Sequence, residues 1–306
     1  MRGTVCDVVV ITRDRVETLL RTLANLTRLD DRGRIIVVDN ASTDATAELV
    51  AERFPDVSFI RLGRNHGAAA RNGGVGASHA PFVALTDDDS WWAPGALEQA
   101  ARALERYPRL GLVAARVLVG PKNVPDPTNA LMEEALVGAD GGLPGRAVLG
   151  FVACGAIVRR EAFLEVGGFQ QRYGIGGEEQ LLAIDLAARG WGVRYLRDVV
   201  VHHHPAAGNR DGRRRRIVRN DLWTAWLRRP LPAAISRTTR ILASSPTDAD
   251  TWRGLAGAIR GLPWVVADRR VVPPSVERHL RALDRAAARR GRSTRHRIEA
   301  ATDGAG

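Results

Sequence analysis

In the stretch Phe82-Val-Ala-Leu-Thr-Asp-Asp-Asp89, an apolar run of strand length ends in three consecutive carboxylates. Adjacent carboxylates repel each other by about 1 kcal/mol per close pair even in bulk water, so a strand end holds them only beside a counter-charge. A hard divalent cation supplies that charge through oxygen ligands. The alternative is a solvated acidic turn, and the apolar run that leads into the acids argues against it.

Upstream of these acids, strand-like runs alternate with helical patterns. The β-branched runs cover Asp7–Thr12, Arg34–Asp39 and Val57–Leu62. Apolar residues recur at helical spacing over Val16–Leu26, and capping residues precede a second helical segment at Ala45–Phe54. This alternation predicts βαβ units, and therefore an α/β fold with a Rossmann-like, mostly parallel sheet flanked by helices.

Polar side chains follow several of the predicted strands, and ligands of open α/β sheets bind beyond the carboxyl ends of the strands. Thr12 and Arg13 end the first strand and Asp39 the second. Taken alone, Asp39 is equally well explained as a helix cap. The glycine-rich stretch 63–76 contributes Arg71, whose guanidinium suits a phosphate, with a surface helix position as the alternative. This stretch has no P-loop lysine and does not follow strand one, which argues against P-loop and dinucleotide sites.

The charge is unevenly distributed along the 306 residues. Residues 1–200 have a formal net charge of −2 and residues 201–306 of +13, which gives +11 for the chain. The basic last third predicts an anionic partner for that part. No apolar run is long enough to cross a bilayer. Cys6 and Cys154 lie in apolar runs, so buried free thiols and a reducing compartment are expected.

Six motifs, taken in order, resemble those of the family 2 glycosyltransferases. They are Val8–Thr12, Val37–Asp44, Asn65–Gly74, Leu85–Asp89, Arg159–Phe169 and Gly176–Glu179. The resemblance extends over about residues 5–204. It implies a GT-A fold and inverting transfer of a sugar from a nucleotide-diphosphate sugar. The acceptor would be a hydroxyl of a glycan, a lipid-linked molecule or a small molecule, and the cofactor Mn²⁺ or Mg²⁺.

The resemblance also implies roles for individual residues. The implied donor-binding residues are Thr12, Arg13, Asp39, Arg71, Asp87 and Asp88. Among them, Asp39 and Thr12 would line the base pocket, and Arg71 would lie near the base and the phosphates. Asp87 would face the ribose or the metal and its water, and Asp89 would hold the metal.

The Gly176-Gly-Glu-Glu179 motif is a candidate for the general base. An acceptor hydroxyl must lose a proton as it attacks, and a carboxylate at a helix start stays ionised in the field of the helix dipole. Glu179 matches the usual base position of the family, and Glu178 would bind donor or acceptor hydroxyls. Gln180 and Leu181 replace acids that often follow in the family, so the choice between the two glutamates stays open. Gln170 replaces an aspartate of the family, so any role of that aspartate does not carry over to this chain. Ordinary first-turn acids are the alternative.

His202-His203-His204 follows a predicted strand, and in many metal-dependent members of the family a histidine here completes the metal shell. Side chains alternate along a strand, so His202 and His204 share one side. We favour His202 and then His204 as the ligand. Imidazole suits Mn²⁺ better than Mg²⁺. A zinc site is the alternative, but no cysteine accompanies the run.

We predict a GT-A catalytic domain over 1–204, in which 1–118 binds the nucleotide sugar and 119–204 holds the acceptor and the base. The acceptor half begins with a long surface loop at 119–148. A basic helical extension, rich in arginine, follows over 205–306.

The first part of this extension, 205–229, combines an arginine run with Trp223 and Trp226, which is typical of peripheral membrane contact. A packed accessory helix is the alternative. No nucleic-acid partner is expected, because no motif for one is present. The expected location is the cytoplasm, including the inner face of a membrane.

Two other functions compete with glycosyl transfer. A non-catalytic relative would bind a nucleotide sugar or a glycan, but the intact acids at Asp87–Asp89 and Glu178–Glu179 argue against this. A sugar nucleotidyltransferase also uses a metal and a diphosphate, but the Gly-Gly-Glu-Glu and histidine motifs disfavour it.

Overall fold

The computed structural model describes residues 6–134, 142–205 and 212–303, with side chains through residue 289. Within this part the chain forms a ten-stranded mixed sheet with helices on both faces, followed by a group of C-terminal helices. The strands are β1 (Cys6–Thr12), β2 (Arg32–Asp39), β3 (Ser58–Arg61), β4 (Phe82–Asp87), β5 (Ser90–Trp92), β6 (Leu110–Val119), β7 (Val124–Pro125), β8 (Arg146–Ala147), β9 (Ala156–Arg159) and β10 (Gly192–His203). The helices are α1 (Val16–Leu26), α2 (Thr46–Arg53), α3 (Ala70–Ala77), α4 (Ala96–Arg106), α5 (Pro127–Glu133), α6 (Arg160–Glu165), α7 (Glu178–Ala188), α8 (Arg213–Arg228), α9 (Leu231–Ser244), α10 (Ala249–Arg260), α11 (Leu262–Ala267) and α12 (Pro274–Asp303).

The sheet has the order β3-β2-β1-β4-β9-β6-β10-β5, with β7 beside β6 and β8 beside β10. Strands β3, β2, β1 and β4 run parallel to one another, and so do β6 and β10. The register aligns Thr12 with Asp39 and Ile11 with Asp87. The parallel pairing therefore brings the predicted polar strand ends to one edge, and the predicted α/β fold with a mostly parallel sheet is confirmed.

Apolar layers cover both faces of the sheet. On one face, Val8 and Val10 belong to a core with Leu19 and Leu23 of α1 and with side chains of α4. On the other face, Val9 packs with side chains of α3, α6 and α7. The strands are buried on both sides, which explains why they read as continuous apolar runs rather than as alternating patterns.

Several elements differ from the expectations. Helix α4 and strand β6 were not predicted. The strand predicted before the histidine run is the long β10, which has a register shift between Leu196 and Val200. The expected loop at 119–148 contains β7, α5 and β8, while its residues 135–141 lie outside the described part. Asn129 connects α5 to the sheet, because its side chain bonds to both the N–H and the carbonyl of Val117 in β6, at 3.0 and 2.8 Å.

The C-terminal extension is helical, as predicted, and α8 joins it to the catalytic region. Trp223 of α8 is only 6% exposed and packs between Tyr173 and Trp264, with ring centroids 5.8 and 5.1 Å apart. At the far end of α8, buried Arg229 pairs with Glu277 and Asp284 of α12 at 3.0 and 2.7 Å. These contacts fix the extension against α7 and the loop before it.

Candidate active site

Asp39 lies at the carboxyl end of β2 and is fully buried. Its Oδ1 accepts a hydrogen bond from the Ser42 N–H at 2.9 Å, which closes the turn after the strand. Its Oδ2 is buried without a hydrogen-bond partner and lies 3.6 Å from Nε of the exposed Arg61. A buried carboxylate oxygen without a donor is costly, so this atom is suited to accept an N–H from a bound ligand.

Asp88 turns inward rather than toward the sheet edge. Its carboxylate accepts from Thr12 Oγ1 at 2.9 Å and from an Arg15 guanidinium nitrogen at 3.1 Å. Burial raises the pKa of Asp88 to about 6, although the charge of Arg15 opposes the shift. Thr12 and Asp88, both predicted to bind the donor, are thus bonded to each other. Arg13 is half-exposed and pairs with Asp14 at 3.3 Å.

Arg15 is a site residue that was not predicted from the sequence. Its guanidinium bridges Asp88 and Asp89, at 3.1 and 3.3 Å, and so supplies part of the counter-charge expected for the acidic run. No local pattern distinguishes Arg15 from the neighbouring Arg13, because only the fold of the turn after β1 decides which of the two points inward.

Arg71 is buried near the start of α3, and its guanidinium donates to Asp87 at the end of β4. The Arg71 side chain also stacks on the ring of Phe169, 5.6 Å from its centroid. Its Nε is buried without a hydrogen-bond partner. This arginine is therefore held in place at the acidic edge with a donor left over, an arrangement suited to binding an anion.

The third acid, Asp89, lies close to His203. The distance from Asp89 Oδ1 to His203 Nε2 is 3.3 Å. Burial lowers the pKa of His203, but the hydrogen bond to Asp89 and the charges of Asp89 and Asp87 outweigh it and raise the pKa overall. The cause of this contact is the antiparallel pairing of β10 with β5, which places His203 opposite Ser90.

His202 and His204, the two histidines favoured from the sequence, face Trp91 instead. His202 Nδ1 lies 2.9 Å from Asn123 Oδ1, and its ring stacks on Trp91 at 6.0 Å. The ring of His204 contacts Trp91 at 4.6 Å. His202 and His204 do share one side of the strand, as predicted, but His203 on the other side is the histidine that faces the acids. Strand β5 was not predicted, so the sequence offered no register from which to choose.

The predicted metal ligands Asp87, Asp89, His202 and His204 are not brought together. In residues 6–134, 142–205 and 212–289, no three His, Cys, Asp or Glu side chains group around a common point that would hold an ion. The acidic edge instead contains the pair Asp89–His203, with Asp87 turned toward Arg71. Both cysteines of the chain, Cys6 and Cys154, are buried free thiols, as expected.

The two glutamates of the Gly-Gly-Glu-Glu motif begin α7, after Gly177 adopts a left-handed conformation with φ of 89°. Glu178 is buried, and its carboxylate accepts a hydrogen bond from the N–H of Gly176 in its own loop. Burial raises the pKa of Glu178. Burial and the charge of Glu178 raise the pKa of Glu179 to about 8, which is opposite to the effect expected from the helix dipole. The charge of Arg71 opposes both of these shifts, and the charge of Asp87 adds to both.

Helix α8 holds the loop that carries these glutamates. Asn220, which is fully buried, donates to the carbonyls of Tyr173 and Gly176 at 3.1 and 2.6 Å. Arg219 donates to the Tyr173 carbonyl at 2.7 Å, and Thr224 bonds to the Tyr173 hydroxyl at 2.9 Å. In the sequence, these residues belong to the segment 205–229, which carries the arginine run and the two tryptophans. From the sequence, this segment was interpreted only as part of a basic helix.

The tryptophans expected to contact a membrane face inward. Trp223 lies in the core described above, and half-buried Trp226 donates from Nε1 to Thr238 Oγ1 at 3.1 Å. The accessory-helix interpretation therefore describes α8 better, while residues 206–211 lie outside the described part. Among the described residues, no helix has the length and apolarity needed to span a bilayer.

The curved sheet with its acidic edge and adjoining glutamate helix defines the chain as a GT-A-fold glycosyltransferase. The model of the Glycosyl transferase family 2 matches residues 7–167, so the chain belongs to this family, and the resemblance found in the sequence is confirmed. The chain is 28% identical over 243 residues to N-acetylglucosaminyl-diphospho-decaprenol L-rhamnosyltransferase of Mycobacterium tuberculosis. The match covers 66% of this chain and 76% of that protein. It is 36% identical over 107 residues to the succinoglycan biosynthesis protein ExoO of Rhizobium meliloti, 34% of this chain and 30% of that one.

Solved structures show the same fold. The mannosyltransferase PcManGT of Pyrobaculum calidifontis, in complex with GDP-Man and Mn²⁺, superposes with a TM-score of 0.54 at 22% identity, covering 93% of this chain and 86% of that one. S. aureus TarS 1–349 in complex with UDP-GlcNAc gives a TM-score of 0.62 at 16% identity, with 90% and 83% covered. Both structures contain a nucleotide sugar, and the first also contains Mn²⁺.

Proposed function

We propose that this glycosyltransferase moves a sugar, with inversion, from a nucleotide-diphosphate sugar to a hydroxyl of a lipid-linked glycan. The observation that supports this best is the combination of unsatisfied polar atoms at one sheet edge. Asp39 Oδ2 and Arg71 Nε are buried without hydrogen-bond partners. Glu178 and Glu179 begin α7, whose apolar side chains belong to the same core as those of α3, the helix that carries Arg71. The reaction needs three groups: a hydrogen-bond acceptor for the nucleobase, a cation for the phosphates and a carboxylate that acts as general base.

Asp39 and Arg71 would bind the two ends of the donor's nucleoside diphosphate. The free Oδ2 of Asp39 would accept an N–H from the nucleobase, and Arg71 would contact the phosphates. The structure favours Asp87 as the residue that holds Arg71 in position, since it accepts from this guanidinium. Thr12 and Asp88 would then support the pocket through their mutual hydrogen bond rather than by direct contact with the donor.

The residues at the acidic edge fit a divalent cation of the Mn²⁺ type, because a carboxylate and an imidazole face each other at Asp89 and His203. We propose that these two side chains would hold the ion, while Asp87 keeps Arg71 in position. Oxygen atoms of the diphosphate would complete the shell, as is common for ions bound to nucleotides. The ion would stabilise the negative charge that develops on the leaving diphosphate.

Glu179 would act as the general base. Its raised pKa makes it a stronger proton acceptor than an ordinary carboxylate, which suits the removal of a proton from an attacking hydroxyl near neutral pH. Glu178 is engaged by the Gly176 N–H and would keep the loop in shape while its outer oxygen contacts a sugar hydroxyl.

The proposed acceptor is a sugar carried on a polyprenyl diphosphate. The support is the relative from Mycobacterium tuberculosis, whose name specifies such an acceptor and whose similarity covers 66% of this chain. The reaction would then take place at the cytoplasmic face of a membrane. The structure gives no observation that favours a non-catalytic or nucleotidyltransferase role over this one.

The test is a donor and acceptor screen with purified full-length chain and Mn²⁺. Release of nucleoside diphosphate is measured for a panel of sugar nucleotides, with and without a polyprenyl-diphosphate-linked N-acetylglucosamine. The proposal predicts that nucleoside diphosphate is released from one sugar nucleotide of the panel, and that this release increases when the lipid-linked acceptor is added. Release of pyrophosphate from a nucleoside triphosphate and a sugar phosphate would instead identify a nucleotidyltransferase. Turnover only with water-soluble acceptors would reject the lipid-linked assignment.

A further inference from the structure

Helices α10 and α11 present a stripe of large apolar side chains to solvent. Trp252, Ile259 and Val266 are 49%, 54% and 70% exposed, and Leu262 is 39% exposed. Trp252 and Ile259 are seven residues apart on α10 and share one face of it, and Leu262 and Val266 are four residues apart and share one face of α11. We define these four residues as the α10–α11 stripe. Contiguous exposed apolar surface of this kind marks an interaction site.

The opposite side of the same helices is firmly packed on α8, which fixes the stripe as the outward face. A Cβ atom added at Gly254 would lie 2.8 Å from the Arg215 carbonyl and from Val218, so α10 approaches α8 very closely. The Ala258 carbonyl accepts from Trp223 Nε1 at 3.1 Å, and Val265 is buried. Rotation of α10 to hide the stripe would break all of these contacts.

Arginines flank the stripe. Between residues 249 and 271 the chain has four arginines and two aspartates. Arg260 and Arg270 are exposed and make no side-chain ion pair within the described part of the chain, while Arg253 is exposed and lies 3.4 Å from Asp250. The remaining acid, Asp268, is exposed at the end of α11. The surface around the stripe is therefore positively charged.

We infer that the α10–α11 stripe is the surface by which this protein docks on an anionic phospholipid bilayer. Apolar side chains on one face of a helix enter the boundary between headgroups and acyl chains, and flanking arginines bind the anionic headgroups. Trp252 suits this position, because its Nε1 already donates to the Pro246 carbonyl at 2.8 Å and leaves the ring as apolar surface. Docking through this surface requires no particular donor or acceptor.

The experiment is flotation of the full-length chain with vesicles of phosphatidylglycerol and phosphatidylcholine, compared with vesicles of phosphatidylcholine alone. One variant combines Trp252→Ser with Val266→Ser, and a second combines Arg260→Gln with Arg270→Gln. The matched controls are Leu164→Ser on α6 and Arg28→Gln after α1, which are exposed residues of the same types far from the stripe. A further variant, Arg213→Gln with Arg215→Gln, tests the N-terminal arginines of α8. Circular dichroism verifies that each variant is folded.

The wild-type chain is expected to float with the anionic vesicles, less so as salt is raised. The apolar variant should bind at least about ten-fold more weakly through the loss of buried apolar area. The arginine variant should bind about 25-fold more weakly, at about five-fold for each arginine near an anionic surface. The controls should bind as the wild type does.

Three results would overturn the inference. Unchanged flotation of both stripe variants would exclude this surface, and so would a loss of flotation confined to the α8 variant. Self-association of the wild type in light scattering, abolished by Trp252→Ser with Val266→Ser while flotation persists, would identify the stripe as an interface between copies of the chain.

Discussion

Helix α8 positions the loop before Glu178 and Glu179 through hydrogen bonds from Asn220, and this arrangement gives a quantitative prediction. Asn220→Ala removes the two hydrogen bonds from this side chain to the carbonyls of Tyr173 and Gly176. Each such bond contributes about 1 kcal/mol net, and a buried carbonyl that loses its partner costs more. The free energy of unfolding should therefore fall by about 2–3 kcal/mol. The Gly176 carbonyl precedes Glu178 by two residues, so the loop and both glutamates should shift as well.

The effect on catalysis should exceed the effect on donor binding. A displacement of about 1 Å in a catalytic group lowers the rate by about 100-fold, whereas Asp39 and Arg71 lie on other elements and should still bind the donor. The assay is steady-state release of nucleoside diphosphate at saturating acceptor, together with urea unfolding. We expect kcat to fall by about 100-fold and the donor KM to change by less than about three-fold.

Asn129→Ala provides the matched control. Asn129 is also a buried asparagine with two backbone hydrogen bonds, but these join α5 to Val117 of β6 rather than to the base loop. The free energy of unfolding of Asn129→Ala should fall by a similar amount, while its kcat should stay nearly unchanged. If Asn220→Ala loses only stability, or if both variants lose kcat equally, the positioning role of α8 is refuted.

Further predictions concern the site itself. The kcat/KM of the enzyme should rise as pH increases toward about 8, because burial and Glu178 raise the pKa of Glu179 and the base must be deprotonated. The same pKa shift should make the free energy of unfolding depend on pH. Between the ordinary glutamate pKa and about 8 the folded state binds more protons than the unfolded state, so stability falls as pH rises through this window. Glu179→Gln should flatten this dependence of stability on pH. Asp39→Asn should raise the donor KM by about ten-fold or more with little change in kcat, as measured by donor titration. His203→Ala should raise the Mn²⁺ concentration for half-maximal activity by about ten-fold, whereas His202→Ala should leave it within about two-fold; equal effects would contradict the placement of His203 at the ion.

The edge of the parallel sheet was predictable because two signals coincide there. Apolar β-branched runs mark β1, β2 and β4, and polar residues follow each of them, so the sequence alone places Asp39 and Asp87–Asp89 at one edge. Parallel pairing requires these strand ends to meet. The start of α7 was predictable for a related reason, since glycines followed by acids signal a helix beginning.

The remaining site contacts depend on long-range register that the sequence does not encode locally. The side of the histidine run that faces Asp89 is set by the pairing of β10 with β5, a three-residue strand without a periodic pattern. Arg15 and Arg13 differ only in which way the turn after β1 directs them. Interactions of this kind connect residues far apart in the chain, so they emerge only when the whole sheet is assembled.

The C-terminal extension shows the limit of amphipathic patterns. Trp223 has helical spacing and arginine neighbours, which is typical of a membrane-facing helix, but it is buried by α11 through Trp264 and by the base loop through Tyr173. The exposed apolar side chains lie instead on α10 and α11. A basic helix that is followed by further helices is therefore better interpreted together with the elements that cover it.

The central claim is that Glu179 removes the proton from the acceptor while Asp39 and Arg71 hold the donor. The most direct measurement compares Glu179→Gln with the wild type in two assays, donor binding by calorimetry and release of nucleoside diphosphate at saturating donor and acceptor. The account predicts a donor Kd within about three-fold of the wild type and a loss of turnover of about 100-fold or more. Normal turnover of Glu179→Gln, with Glu178→Gln inactive, would contradict it.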